Sequence, residues 1–260
     1  MTTTAEIARA VRPGPVFGGV VVATVAGGLL LAHSAPGRNP TSVIGALLLV
    51  LGGWVVSLCL HEFSHAVTAF AFGDKNAELR GYLTLNPLRY AHPGLSLVLP
   101  LLFILLGGIG FPGGAVYVEQ SGFTRAQRSM VSAAGPVSNI VFAVVLLAIV
   151  RVYGPESALQ SLNLWAALAM LALLQIMAAV LNLIPIPGFD GYGIIEPYLS
   201  PQTRRSIAPI APYGFLLILL ILLVPQLNRL FFDVVYWLLE LSDVPSWLAS
   251  YGWGLVVFWR

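Results

Sequence analysis

The sequence predicts an all-α polytopic membrane protein of about six transmembrane helices, with a re-entrant loop and a short membrane-associated β-hairpin near a buried site. Three observations lead there. Of 260 residues, 58% are hydrophobic and only 9% are charged, against roughly 25% charged in an ordinary soluble domain. The mean hydropathy is +0.86. Apolar runs of about 17–22 residues, separated by short polar stretches, match a hydrocarbon core about 30 Å thick. A water-soluble globular enzyme is excluded. Thirteen Lys+Arg against eleven Asp+Glu give a net charge of +2, too balanced for a nucleic-acid partner. The single cysteine, Cys59, cannot form an intrachain disulfide and reads as a small buried hydrophobe.

The chain reads as one membrane-embedded unit over residues 1–260, and its first span covers about 16–33, after Arg9 and Arg12. The tetrapeptide Ala32-His33-Ser34-Ala35 could pass for a signal-peptidase site. The apolar run is longer than the roughly 7–15 residues of a signal peptide, however, which favours a retained span. Further spans are expected at about 42–72, 131–150, 164–184 and 208–224, with a less regular aromatic-rich one at about 229–257. Residues 95–111 are apolar enough to cross but contain Pro100 and Gly107-Gly108-Ile109-Gly110.

Basic residues decide that ambiguity, because Lys and Arg accumulate on the cytoplasmic side. If 95–111 is re-entrant and the N-terminus is cytoplasmic, only Arg38, Arg151 and Arg229 lie outside. If it crosses fully, the pairs Arg125/Arg128 and Arg204/Arg205 move outside as well. The re-entrant reading is preferred. Irregular backbone at membrane depth is tolerated only against protein or a water-filled cavity, so this loop is expected beside the buried site.

The chemistry starts near the end of the second span, in Leu60-His61-Glu62-Phe63-Ser64-His65. Ionisable groups within a span are expensive and mark function by default. His61 and His65 are one helical turn apart on one face and can converge on a single metal, with Glu62 about 100° round the helix. This is the His-Glu-x-x-His zinc pattern, in which the Glu is general base. The bland alternative is a pair of packing histidines with Glu62 as counter-ion. A catalytic zinc takes three protein ligands and keeps a position for water. Of four Asp in the chain, only Asp190 ends a long apolar run, in Asn182-Leu183-Ile184-Pro185-Ile186-Pro187-Gly188-Phe189-Asp190-Gly191. Pro185 and Pro187 must unwind the helix there, letting the chain aim Asp190 sideways. The expected metal ligands are therefore His61, His65 and Asp190, holding one Zn2+, with Glu62 catalytic.

These residues resemble the site-2 protease family of intramembrane zinc metalloproteases. The resemblance rests on His61-Glu62-x-x-His65, on Asn182 to Gly191, on Leu85-Asn86-Pro87-Leu88-Arg89 and on Gly135-Pro136-Val137-Ser138-Asn139, together spanning about residues 45–200. It is most similar to the compact subgroup without PDZ or CBS domains. Tyr90-Ala91-His92-Pro93 and Gly188-Phe189 depart from the commoner family wording without touching a ligand. The resemblance implies hydrolysis of peptide bonds within or beside a substrate's transmembrane helix, after an upstream site-1-type protease has acted. It adds Asn182 as a second catalytic residue, an amide donor for the substrate carbonyl or oxyanion; the alternative for Asn182 is a backbone cap at a broken helix. It further implies single-span membrane protein substrates, anti-sigma factors among them if the source is bacterial; the six-span topology, with the second and fourth spans both running outside to inside, places the site near the cytoplasmic side of a cell inner or plasma membrane.

Glu78 to Asn86 alternates partly between polar and apolar residues, as a strand would. It is expected to offer an edge to unwound substrate by β-augmentation, with an ordinary interfacial loop as the equal alternative. His33 and His92 read as interfacial. Trp237, Trp247, Trp253 and Trp259 read as an aromatic belt, or else as a gate in the last span. A second class of function also fits: a catalytically idle relative that binds membrane proteins or metal through the same ligands. Idle relatives usually lose the general base, and Glu62 is present.

Overall fold

The computed structural model describes residues 2–90, 118–119, 121–157, 161–214 and 223–259. The expected re-entrant loop at 95–111, His92 and residues 215–222 of the expected span at 208–224 lie outside the described residues. A short helix α1 (Thr4–Ala10) leads into α2 (Pro15–Ala32), α3 (Pro40–Ala71), α4 (Arg125–Ser157) and α5 (Leu162–Leu183). Then follow α6 (Asp190–Ile195), α7 (Pro225–Glu240) and α8 (Ser246–Val256).

Local sequence explains the boundaries. Thr3 and Glu6 close a capping box at α1, and Asn39 and Ser42 close one at α3, where Pro40 begins the helix with its ring pre-set and no N–H to waste. α5 stops at Leu183 because Pro185 and Pro187 follow. Four helices, α2 to α5, are long and apolar enough to cross a membrane. At 32 residues, α3 is roughly 48 Å long at 1.5 Å per residue, so it overruns a core about 30 Å thick.

α5 is the centre of the bundle, with α3, α4 and α8 packed round it and α2 against the outer side of α3. Ala166, Ala167, Ala169 and Ala172 of α5 are wholly buried. Apolar burial gives little drive between helices in lipid, and small residues let backbones approach and gain dispersion contacts instead. At one end of the bundle Asn163, 1% exposed, donates from Nδ2 to Ser34 Oγ and to the carbonyls of Ala35 and Gly37, and Tyr251 donates its hydroxyl to Asn163 Oδ1. One amide thus ties α5 to the α2–α3 connection and to α8.

Two expectations are corrected. Among the described residues there is no strand, so the expected β-hairpin is not found. Glu78 to Asn86 instead contributes to a helical turn at Asn76–Leu79, a tight 3-10 turn at Tyr82–Thr84 and the approach to a further turn at Pro87–Tyr90. Gly81 and Leu85 both take left-handed conformations, with φ of 73° and 54°, which bend a chain that alternation alone would extend. Tyr82, Leu83, Leu85 and Tyr90 bury against Cys59, Ala66 and Phe70 of α3, together with Ile7 and Ala10 of α1. The N-terminal segment joins this layer by backbone, with Arg12 N–H donating to Leu83 O and Gly14 N–H to Thr84 O.

The six-span count is not supported either. The stretch at 229–257 is no single span but two helices, α7 of 16 residues and α8 of 11. Asp243 with φ of 57° and Pro245 turn the chain between them. α7 buries Phe231, Val235 and Leu239 and exposes Arg229, Asp233 and Glu240, the pattern of a helix lying along an interface.

Candidate metal centre

α3 brings His61 and His65 onto one face, and α4 packs across that face in the antiparallel sense. The register is explicit: His61 faces Asn139 of α4, and His65, one turn further along α3, faces Val131, two turns further back along α4. Gly135 lies midway between them. A Cβ at Gly135 would fall 2.3 Å from His65 Nε2 and 2.6 Å from His61 Nε2. The missing side chain is therefore the space into which both imidazoles point.

Asp190 arrives from the third direction. After α5 the chain turns through Pro185 to Gly188, whose φ is 96°, and doubles back so that Gly191 lies against the end of α5. A Cβ there would meet the Leu183 carbonyl oxygen at 2.2 Å. α6 is further held to α4 by the Ser129 hydroxyl, which donates to the Ile194 carbonyl. Asp190, first residue of α6, thereby presents Oδ2 at 3.2 Å from His61 Nε2 and Oδ1 at 3.3 Å from His65 Nε2. The two Nε2 atoms are themselves 3.2 Å apart.

Protons are accounted for on the far side of each ring. His61 Nδ1–H donates to Asn139 Oδ1 at 2.6 Å, and His65 Nδ1–H donates to the Val131 carbonyl at 2.6 Å. Pro136 has no N–H for the Ser132 carbonyl, the acceptor next to that of Val131 on α4. With Nδ1 protonated in both neutral rings, both Nε2 atoms carry lone pairs, and these face each other and a carboxylate. Asp190 Oδ2 is buried and has no hydrogen-bond partner. Such an arrangement repels itself unless a cation sits among the donors.

The spacing fits one. Donors at about 2.0–2.1 Å from a tetrahedral zinc lie about 3.3–3.4 Å apart; here the two Nε2 atoms are 3.2 Å apart and each has its own Asp190 oxygen, Oδ2 at 3.2 Å from His61 and Oδ1 at 3.3 Å from His65. A ligating His that donates its other N–H to a carbonyl or amide oxygen is the usual second layer of such sites. The three expected ligands are thus brought together, with His61 7% and His65 8% exposed.

Glu62 is buried at 4% exposure on the flank of α3, beside its ligand neighbour His61. That flank borders the layer containing Cys59 and Tyr90. Burial, and then the neighbouring Cys59 and Glu62 charges, push the Tyr90 phenol above its ordinary range, and its hydroxyl donates to the Tyr82 carbonyl. Asn182 is half-buried in the last turn of α5, one residue before the carbonyl on which Gly191 rests. His33, exposed, bonds the Leu29 carbonyl far along the chain from the centre.

Sequence reasoning missed Val131 and Gln175, and it noted Gly135 and Asn139 without a role. Gln175, 1% exposed on α5, accepts from Asn139 Nδ2 at 2.9 Å. Amides inside apolar spans were the available signal, since any polar residue there needs a partner.

Comparison with known proteins agrees with this geometry. The model of "Peptidase family M50" matches residues 46–224. A protein of Mycolicibacterium smegmatis named "Putative zinc metalloprotease Rip2" is 52% identical over 252 residues, covering 96% of each chain. The protein of the same name from Mycobacterium tuberculosis is 50% identical over 252 residues, again covering 96% of each chain. "Putative zinc metalloprotease YwhC" of Bacillus subtilis is 33% identical over 192 residues, covering 72% of this chain and 84% of its own. No solved structure matches. With two histidines and an aspartate converging between membrane-length helices, and a family model matched across all three, the chain belongs to peptidase family M50, the site-2 proteases.

Proposed function

We propose that this chain is a zinc-dependent intramembrane protease that hydrolyses peptide bonds within or beside the transmembrane helices of other proteins. The observation that carries the reading is the convergence of His61, His65 and Asp190 donors, within 4.8 Å of one another, next to a buried carboxylate, Glu62, on a membrane-length helix. The relatives' names, which specify zinc and proteolysis, point the same way.

Zinc held by His61, His65 and Asp190 would act as Lewis acid and lower the pKa of a water molecule to about 7. Glu62, the general base, takes the proton that the attacking water gives up and returns it to the amine nitrogen as the peptide bond breaks. Asn182 donates an amide N–H to the substrate carbonyl oxygen as negative charge develops on it. Asn139 and the Val131 carbonyl keep the two imidazoles in the tautomer that ligates. The packed helices keep bulk water from competing for these groups, which strengthens each electrostatic contact.

The distribution of Lys and Arg supports a cytoplasmic N-terminus and a site near the cytoplasmic side of the cell membrane. The substrates in this reading are single-span membrane proteins already trimmed by a site-1-type protease. The bacterial sources of the relatives support anti-sigma factors as members of that class. The test compares new protein N-termini in membranes of cells carrying the unaltered chain or Glu62→Gln, at equal zinc content. Termini inside membrane spans that need Glu62 are the expected result. Identical sets under every activating condition would overturn proteolysis.

A further inference from the structure

Gln175 lies in the middle of α5 among Ala, Leu, Ile and Met, and is 1% exposed. A primary amide in such a place is destabilising unless its hydrogen bonds are made. Its Oε1 accepts from Asn139 Nδ2 at 2.9 Å, and Asn139 Oδ1 accepts from His61 Nδ1 at 2.6 Å. Asn139 is itself only 4% exposed. The chain of contacts thus runs from the centre of the bundle to one ligand of the metal site.

We propose that Gln175 is a positioning residue for the metal centre: by accepting from Asn139 Nδ2 it selects the tautomer of His61 that can bind metal. The two ends of an Asn side chain have nearly the same size and shape but opposite hydrogen-bonding sense. Packing alone therefore does not decide which end meets His61. With Gln175 turned so that Oε1 faces Asn139, only the NH2 end of Asn139 can donate to it. The oxygen is left facing His61, its Nδ1 must carry the proton, and Nε2 keeps its lone pair. Without that acceptor the amide can turn over, place NH2 against Nδ1, and favour the tautomer protonated on Nε2, which cannot ligate. His65 needs no such device, since its Nδ1 meets the Val131 backbone carbonyl, which cannot turn over. The asymmetry explains why one polar residue of α5 is kept deep in the bundle on the His61 side.

The inference rests on the metal reading of the site and not on proteolysis, so the readout is metal binding. Full-length protein in detergent is titrated with zinc against a chromophoric chelator, and the ligand-field spectrum of bound Co2+ is recorded. Gln175→Leu is expected to weaken zinc binding by ~10–100-fold, the usual range for outer-layer partners of a ligand, and to alter the Co2+ spectrum. Gln175→Met, of equal length, repeats the test if the leucine variant fails to fold. Gln175→Glu keeps an acceptor and is expected to restore near-normal affinity. Asn139→Asp offers oxygen at both ends, so in that background Gln175→Leu should change affinity little further, a strong departure from additivity. Equal losses in both backgrounds, or undiminished affinity in a folded Gln175→Leu or Gln175→Met protein, would overturn the role of Gln175. No zinc binding by the unaltered chain would instead overturn the metal reading beneath it.

Discussion

Gly135 and His65 face each other so closely that a single methyl group on the glycine would lie 2.3 Å from the imidazole Nε2. The neighbouring His61 Nε2 would be 2.6 Å from the same carbon. Gly135→Ala should therefore fill the space between the donors while leaving α4 helical, since Ala is the better helix former. The expected outcome is loss of zinc by at least about tenfold in affinity, in the range seen for disturbed ligand shells, with unchanged far-ultraviolet circular dichroism. Zinc content after dialysis checks it.

Asp190 is the one anion in the group it forms with His61 and His65, and its Oδ2 has no hydrogen-bond partner to fall back on. Asp190→Ala should abolish stoichiometric zinc, whereas Asp190→Asn should retain weak binding through its remaining carbonyl oxygen. A strong chelator should likewise stop cleavage by the unaltered protein, and added zinc should restore it. Elemental analysis of purified protein, beside a cleavage assay on a single-span substrate, separates these outcomes.

Gly191 meets backbone rather than a movable side chain, with the Leu183 carbonyl oxygen at 2.2 Å and the Ile184 carbonyl oxygen at 2.6 Å from an added Cβ. Gly191→Ala must push α6 off the end of α5 and take Asp190 with it. Overpacking of this kind costs about 1–3 kcal/mol, so both thermal stability in detergent and zinc affinity should fall together. A variant that loses stability and keeps its zinc affinity would contradict the coupling.

Asn163 tests the opposite case, a buried amide remote from the metal. Asn163→Leu takes the acceptor from the Tyr251 hydroxyl and a donor from Ser34, Ala35 and Gly37, which keep their bonds to Leu31, Asn39 and Ser42. An unsatisfied buried group such as the Tyr251 hydroxyl costs about 1–3 kcal/mol, so the melting temperature should drop while zinc stoichiometry stays at its original value. Differential scanning fluorimetry and metal analysis on the same sample measure both.

The grouping of His61, His65 and Asp190 was legible because its signal is local. His61 and His65 share a helix face by spacing, and Asp190 stands out as a carboxylate behind two prolines at the end of an apolar run. The spans α2 to α5 were legible for a similar reason, since length and hydropathy suffice to mark them. What escaped depends on how helices are rotated against one another. That Asn139 meets His61 and Gln175, and that Gly135 rather than another small residue lies over the donors, follows from the antiparallel register of α3 and α4. The turns at 78–86 escaped because the left-handed backbone at Leu85 has no compositional mark; Leu rarely adopts it. The tail was misread because aromatic content hid the break at Asp243 and Pro245.

The wide separation of the ligands along the chain has a consequence for biosynthesis. His61 and His65 enter the bilayer with an early helix, but Asp190 is made only after α4 and α5 have been synthesised. A nascent chain that has grown no further than Asn182 carries both imidazoles and the helices around them but lacks Asp190. Metal loading therefore waits for nearly three quarters of the polypeptide to leave the ribosome. Until then the translocon, itself full of transmembrane helices, shares the membrane with a hydrolase that is still missing its third ligand.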